Sequence, residues 1–451
     1  MKKREESFLN ASDFGENFTW GVSTAAYQIE GGHDSKGKGP SIWDNFTANP
    51  KNIHNRDYAC ISCDFFNKYK EDILLMKSMN IDNFRFSISW PRVLPNGIGT
   101  VNNEGIDFYN DVINFCLEQN ITPWVTIYHW DLPQVLEDEG GWTNRTIIEW
   151  FSEFVTVCAK AFGDRVKNWM VLNEPMVFIG AGYFLGVHAP GKKGLKNFLP
   201  AVHHSVLCQA EGGRLLRKLV LHAHIGTTIS CSQITPFRNN KRDKATAITV
   251  DALLNRLFIE PALGLGYPTK EAPLLKKLSP FIQSNDIENC KFDFDFIGIQ
   301  NYTREKVKYS RFVPYIRAKI VRAGKRNVKT TLMDWEVYPP SIYEMIKKYT
   351  AYPLIKKIII TENGAAFEDH LKKENIEDAD RIDFLQKYLG QVLNAKREGM
   401  NIHGYFIWTF TDNFEWAEGF YPRFGLVYVD FKSLKRTIKA SGKWFANFLT
   451  S

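Results

Sequence analysis

Short apolar runs recur along the chain, separated by longer stretches in which apolar and polar positions alternate at helical spacing. Eight runs read as strands, at residues 18–22, 84–90, 124–130, 169–174, 225–231, 294–300, 358–362 and 404–410. The stretches between them are amphipathic. In residues 64–79, for example, Phe65, Tyr69, Ile73 and Met76 share one face, and Asp64 is placed to cap the N-terminus. Strands alternating with helices predict parallel βαβ units. Eight such units predict an α/β protein, a single (β/α)8 TIM barrel with long βα loops. No glycine-rich phosphate loop follows the first run, which counts against a doubly wound open sheet. No linker, repeat or low-complexity segment divides the chain. Residues 8–451 therefore read as one domain, with 1–7 as a flexible N-terminus.

In an eight-stranded barrel of this kind the active site forms at the C-terminal ends of the strands. The residues that close the predicted strands are polar or aromatic: Arg85 to Trp90, His129, Trp130, Asn173, Glu174, Tyr302, Glu362 and Trp408. Pro175 disfavours helical geometry at Glu174 and points to an extended residue there. Gly364, just after Glu362, would permit a sharp turn. Alone, either glutamate could cap a helix or meet an arginine. Together, on the fourth and seventh strands, they face one another across the barrel mouth as the carboxylate pair that glycosidic cleavage uses. Such pairs stand about 5–5.5 Å apart in retaining enzymes and about 6.5–9.5 Å apart in inverting ones.

Composition narrows the partners. The 451 residues are 44% hydrophobic and 24% charged, and the net charge of +7 is spread with both signs interspersed. That favours an enzyme over a nucleic-acid binder, which would concentrate its basic residues on one face. The one basic stretch, from Arg304 to Arg326, reads as a solvated loop or helix face; the sharper alternative is a rim that welcomes acidic substrates. The 12 tryptophans, 33 phenylalanines and 18 tyrosines mostly serve core packing. Tryptophan also suits the apolar face of a sugar ring. The start, MKKREESF, leads into no apolar segment, and no long uncharged run suggests a membrane span. A cytoplasmic protein without a membrane partner is expected, so the Asn-X-Ser/Thr sites at Asn10, Asn17, Asn45 and Asn144 read as incidental. Seven scattered cysteines suit reduced thiols. Cys60 and Cys63 form a lone CxxC, a weak metal signal. His203, His204, His222 and His224 read as structural.

The motifs in order are Phe18-Thr19-Trp20-Gly21, Gln28-Ile29-Glu30-Gly31, Arg85-Phe86-Ser87-Ile88-Ser89-Trp90, His129-Trp130-Asp131-Leu132-Pro133, Asn173-Glu174-Pro175, Thr361-Glu362-Asn363-Gly364 and Asp412-Asn413-Phe414-Glu415-Trp416. With these the chain resembles glycoside hydrolase family 1, the β-glucosidases, β-galactosidases and relatives. The resemblance implies a retaining β-glycosidase acting on terminal β-D-glucosyl residues, with β-galactosides or β-fucosides as possible side substrates. It casts Glu174 as acid/base and Glu362 as nucleophile. Arg85 and Tyr302 resemble the residues that hold the nucleophile. Asn173 resembles the ligand of the sugar 2-hydroxyl. Gln28, His129, Trp130, Glu415 and Trp416 resemble the rest of the glycone pocket, and Trp408 its floor. Phe424 resembles the residue near the sugar 6-position, and Trp335 a wall of the aglycone site. The family's usual cis peptide is expected after Trp408. The chemistry needs no metal or cofactor, and its partner is a small-molecule or oligosaccharide β-glucoside. Oligomeric state is left open.

Departures and absences add detail. The family's frequent Asn-Tyr-Tyr reads Gln300-Asn301-Tyr302 here, which puts the fine geometry beside the nucleophile in question. Thr409-Phe410-Thr411 stands where Ser and two apolar residues are common. The acid/base position carries Glu, unlike the plant thioglucosidases. Glu415 stands near where the 6-phospho-glycosidases hold phosphate, so the glycone is read as unphosphorylated. Two other readings stay open: a catalytically silent glycan- or protein-binding barrel, and a transglycosylase on the same site. Loops around Trp335, the stretch after Arg304 and residues 178–196 would set the aglycone.

Overall fold

The computed structural model of the chain describes residues 9–372 and 375–451. The flexible segment expected at 1–7 lies outside the described residues. Eight parallel strands close a barrel: β1 (Thr19–Ser23), β2 (Asn83–Ser87), β3 (Thr122–Tyr128), β4 (Asn168–Asn173), β5 (His224–Ser230), β6 (Phe296–Gln300), β7 (Ile358–Asn363) and β8 (Ile402–Trp408). Each pairs with its neighbours in chain order, and β1 closes onto β8. All eight expected strands are present, with shifted ends. The second stops at Ser87 because the backbone of Ser89 turns to donate to the Tyr109 hydroxyl, 2.7 Å away, and Pro91 helps start the helix Trp90–Val93. The eighth stops at Trp408. Beyond it Thr409 turns aside, and its hydroxyl donates to the Ser23 carbonyl at 2.7 Å. The threonine at that unusual position thus ties the end of β8 to β1. The expected cis peptide joins Trp408 and Thr409.

Alternation along each strand separates two cores. Outward residues such as Phe84 and Phe86 pack under the surrounding helices, where Phe84 meets Phe65 of the helix Phe65–Ser78. Inward residues fill the barrel with an apolar plug of Trp124, Met170, Phe296, Ile359 and Phe406. Gly21 and Gly226 make room for it, because a Cβ at either would collide with the ring of Phe406 or Phe296. Above the plug the inward side chains turn polar. Asp64 does not cap its helix as expected. It adopts a left-handed conformation (φ 55°), and its carboxylate accepts from the Asn67 side chain instead.

The basic stretch is mixed: two of its segments are strands, joined by a loop, and Ala323–Lys325 is a short 3-10 helix. Arg304–Tyr309 is the middle strand of a small sheet with Gln233–Pro236 and Ala318–Ile320. Among the described residues, no helix is long and apolar enough to cross a membrane. All seven cysteines are free. Burial pushes the Cys63 thiol up to about 12, so it does not behave as a reactive thiolate.

Candidate active site

The polar layer at the C-terminal end of the barrel is built strand by strand. Register shifts interrupt the β4–β5 pairing between Met170 and Asn173, and the β6–β7 pairing between Ile360 and Glu362. Irregularities of this kind re-aim the side chains that follow them. Here those are Asn173 and Glu362.

Arg85 rises from β2 beside the plug, with its Nε 3.1 Å from the Met170 sulfur. One Nη donates to Glu362, and the other donates to Asn173 Oδ1 at 2.6 Å. Tyr302 donates its hydroxyl to the other Glu362 oxygen at 2.6 Å. Gln300 bridges the two groups, with Nε2 2.8 Å from both Glu362 Oε1 and Asn173 Oδ1. The longer amide at this unusual position therefore reaches Glu362 and Asn173 together. Thr228 on β5 adds another donor to Asn173 Oδ1 at 2.8 Å. With its oxygen engaged in this way, Asn173 presents Nδ2 to His129 Nε2 at 2.9 Å. Burial, aided by the Arg85 charge, lowers the His129 pKa well below its usual value and keeps the ring neutral.

Glu174 follows β4 directly. Its backbone is left-handed (φ 46°, ψ 62°), not extended as expected from the proline after it. The helix Pro175–Ile179 starts at the next residue, and the Glu174 carbonyl accepts from Val177 N at 2.8 Å. Trp130 and Trp416 also have positive φ. Such conformations in large residues cluster where function over-determines the backbone. Gly364 has no positive φ. It is needed because a Cβ there would run into the Trp408 carbonyl oxygen.

Burial raises the pKa of both glutamates. Glu174 is raised further, because the Glu362 charge adds to its burial and a hydrogen bond from Ser230 only partly offsets them. For Glu362 the opposing pull comes from Arg85 and Tyr302. The two carboxyls thus sit in environments that separate a proton donor from a charged neighbour. Glu415 is pushed up to about 8 by burial and by Glu362, against hydrogen bonds from Trp408 and Gln28.

These groups surround a cavity of about 320 Å³. His129, Trp130, Glu174, Tyr302, Trp335, Glu362, Trp408, Glu415, Trp416 and Phe424 all line it. Arg85, Asn173 and Gln28 are fully buried beside it. Gln28 donates to the Phe414 carbonyl at 2.8 Å and to Glu415 at 3.3 Å. Trp130 and Trp416 pack against each other, tilted, with ring centroids 4.4 Å apart, while Tyr302, Trp335 and Phe424 form a second aromatic wall. Among the described residues no lysine or arginine lines the cavity. Sequence reasoning missed Thr228, Ser230, His188 and Glu305. Thr228 and Ser230 were within reach, as polar positions on a strand that ends at the mouth. His203 and His204 are structural: His203 lies between Tyr267 and Asp286, and His204 bonds the Trp142 carbonyl.

The family profile described as glycosyl hydrolase family 1 matches residues 10–451. The chain belongs to this family. It is a glycoside hydrolase. It is 41% identical to β-glucosidase A of Thermotoga maritima, over 97% of this chain and 98% of that protein. It is equally 41% identical to a 1,4-beta-D-glucan glucohydrolase of Thermotoga neapolitana, over 97% and 98%. A solved structure of the Thermotoga maritima β-glucosidase in complex with glucoimidazole superposes with a TM-score of 0.92 at 40% identity, covering 97% of this chain and 98% of that one. As a family member the chain is a retaining glycosidase.

Proposed function

We propose that the cavity hydrolyses terminal β-D-glucosyl residues, with Glu174 as acid/base and Glu362 as nucleophile. The observation that carries this reading is the unequal treatment of the two carboxyls. Glu362 is held by Arg85, Gln300 and Tyr302, all donors. Glu174 lies in the same cavity without a cationic partner of its own among the described residues.

In the first step Glu362 attacks C1 of the sugar. Glu174 gives its proton to the glycosidic oxygen, and the aglycone leaves as an alcohol. This forms a covalent glycosyl ester on Glu362. In the second step Glu174, now a carboxylate, takes a proton from water. The resulting hydroxyl attacks C1 from the face the aglycone left, and Glu362 departs with its electron pair. Two inversions give net retention. Asn173 holds the 2-hydroxyl, the contact that tightens in an oxocarbenium-like transition state. Gln28, His129, Trp130, Glu415 and Trp416 take the remaining hydroxyls, and Trp408 forms the floor. Phe424 closes the end near the 6-position, and Trp335 walls the aglycone side.

The unphosphorylated glycone is supported by the lack of a cation in the cavity wall. The charge repulsion expected from Glu415 is weaker than a full carboxylate would give, since its pKa of about 8 leaves it largely protonated near neutrality. Residues 8–451 act as one catalytic barrel. A cytoplasmic location is supported by seven unpaired cysteines. Both carboxyls line the cavity, so nothing favours a silent barrel.

Replacing Glu362 by Ala is expected to abolish turnover of a nitrophenyl β-glucoside while circular dichroism stays that of the parent. Near-full activity in that variant would overturn the assignment. Incubating the parent with a 2-deoxy-2-fluoro glucoside should add one sugar mass to the peptide that carries Glu362.

A further inference from the structure

Beyond Trp335 the catalytic cavity adjoins a second one of about 370 Å³. Thr303, Glu305, Met333, Trp335 and Glu418 line both. Each volume is near the lower end for ligand pockets, and together they suit a ligand longer than a single sugar. The walls change at the boundary. The inner cavity is faced by four tryptophans, whereas Trp335 is the only one in the outer cavity among the described residues. There Arg304, Arg322, Arg326, Asp334 and Glu336 join the lining.

Most of these charges are spoken for. Glu336 accepts two bonds from Arg304, at 2.9 and 2.7 Å, and a third from Arg326. Asp334 accepts from the Gly324 amide at 2.6 Å. Glu305 and Arg322 are different. Neither side chain makes a hydrogen bond or an ion pair among the described residues. Glu305 sits on the strand Arg304–Tyr309 and faces both cavities. Burial pushes its carboxyl up to about 7, with Arg326 pulling the other way.

A half-dried carboxyl without a protein partner costs free energy that a ligand donor recovers. An anionic aglycone finds no net positive field, since Arg304, Arg322 and Arg326 share the lining with Glu305, Asp334, Glu336 and Glu418. A purely apolar aglycone would bury Glu305 unsatisfied. A sugar fits both demands: its apolar face lies on Trp335, while its hydroxyls donate to Glu305 and accept from Arg322.

We propose that Glu305 and Arg322 form a sugar-binding site on the leaving-group side, so that β-linked oligosaccharides are preferred over aryl glucosides. The assignment rests on the function proposed above. The test compares kcat/KM for cellotriose or laminaritriose, whichever the parent cleaves faster, with kcat/KM for a nitrophenyl β-glucoside. In the parent the oligosaccharide is the better substrate. Glu305→Leu is expected to lower the oligosaccharide-to-nitrophenyl ratio about tenfold, the loss of a hydrogen bond to a charged group. Arg322→Ala, at an exposed position, should lower it severalfold and serves if the first variant folds poorly. An unchanged ratio in a folded variant would overturn the proposal, and so would a parent that favours the nitrophenyl glucoside. A parent that cleaves neither substrate would instead overturn the proposed function itself.

Discussion

The two ends of the catalytic cavity are built on opposite plans. At the inner end Arg85, Asn173 and Gln300 are fully buried, and each reaches two or more partners. At the outer end Arg304 and Arg326 are tied to Glu336, yet among the described residues Glu305 and Arg322 are left without partners. The inner end is organised so that charge changes little when a sugar arrives, which is what electrostatic preorganisation requires. The outer end leaves polar groups for a ligand to complete. If this contrast is right, substitutions at the inner end change the chemistry and its pH dependence, and substitutions at the outer end change the choice of substrate.

The largest effect is expected from Arg85→Met. It leaves Glu362 without its cation and takes one of three donors from Asn173, deep in the barrel. Breaking one side of a buried pair costs about 3–5 kcal/mol of stability, and losing a preorganised donor costs about 10²–10³-fold in kcat. Without the guanidinium the Glu362 pKa rises. In its proposed role Glu362 must be ionised to attack, so the acid limb of the kcat/KM profile is expected to move to higher pH. Thermal unfolding and a pH series read the two effects separately. An acid limb that stays in place would mean that Arg85 does not tune the nucleophile.

Tyr302→Phe is a milder version of the same test. It removes one donor to Glu362, at 2.6 Å, and leaves Arg85 and Gln300 in place. About a tenfold fall in kcat is expected, with a smaller shift of the acid limb in the same direction. On the proposed roles the basic limb reports Glu174, which must be protonated to act, and should stay where it is. Movement of the basic limb alone would reverse the two roles.

The contrast between the two ends also explains what the sequence disclosed. Strand-end residues on β2, β4, β6, β7 and β8 carried the inner site, because a barrel delivers every strand's last residues to one mouth. Periodicity located all eight strands, yet it placed the end of the second at Trp90, three residues late, since the Ser89 turn depends on Tyr109 from a distant helix. Pro175 suggested an extended Glu174, but the helix that begins behind it imposed a left-handed one. Gln300 was noted only as a departure, and its double contact appears once β4, β6 and β7 are side by side. The outer end was harder to read. Its basic residues looked like a solvated face, because the carboxylate that neutralises Arg304 and Arg326 is Glu336, 32 and 10 residues away. Glu305, among so many cations, gave no local sign of facing a cavity.

Arg304→Lys should have the smallest effect, and it tests whether the two ends are independent. Arg304 lies 3.5 Å over the Tyr338 ring while its fork holds both Glu336 oxygens. A lysine ammonium cannot stack and bridge in this way. Glu336 keeps Arg326, so no carboxylate is orphaned. The charge beside Glu336 is kept and one hydrogen bond is lost, which costs about 1 kcal/mol, or a fall in Tm of about 2 °C in a chain this long. The loosened wall should raise KM for an oligosaccharide about twofold. Both pH limbs measured with a nitrophenyl glucoside should coincide with those of the parent, because the lysine keeps the positive charge and Glu336 with its partners lines the outer cavity and not the inner one. If either limb moves, the charges of the outer cavity act on Glu174 or Glu362 through the barrel mouth, and specificity and chemistry are not separable at Trp335.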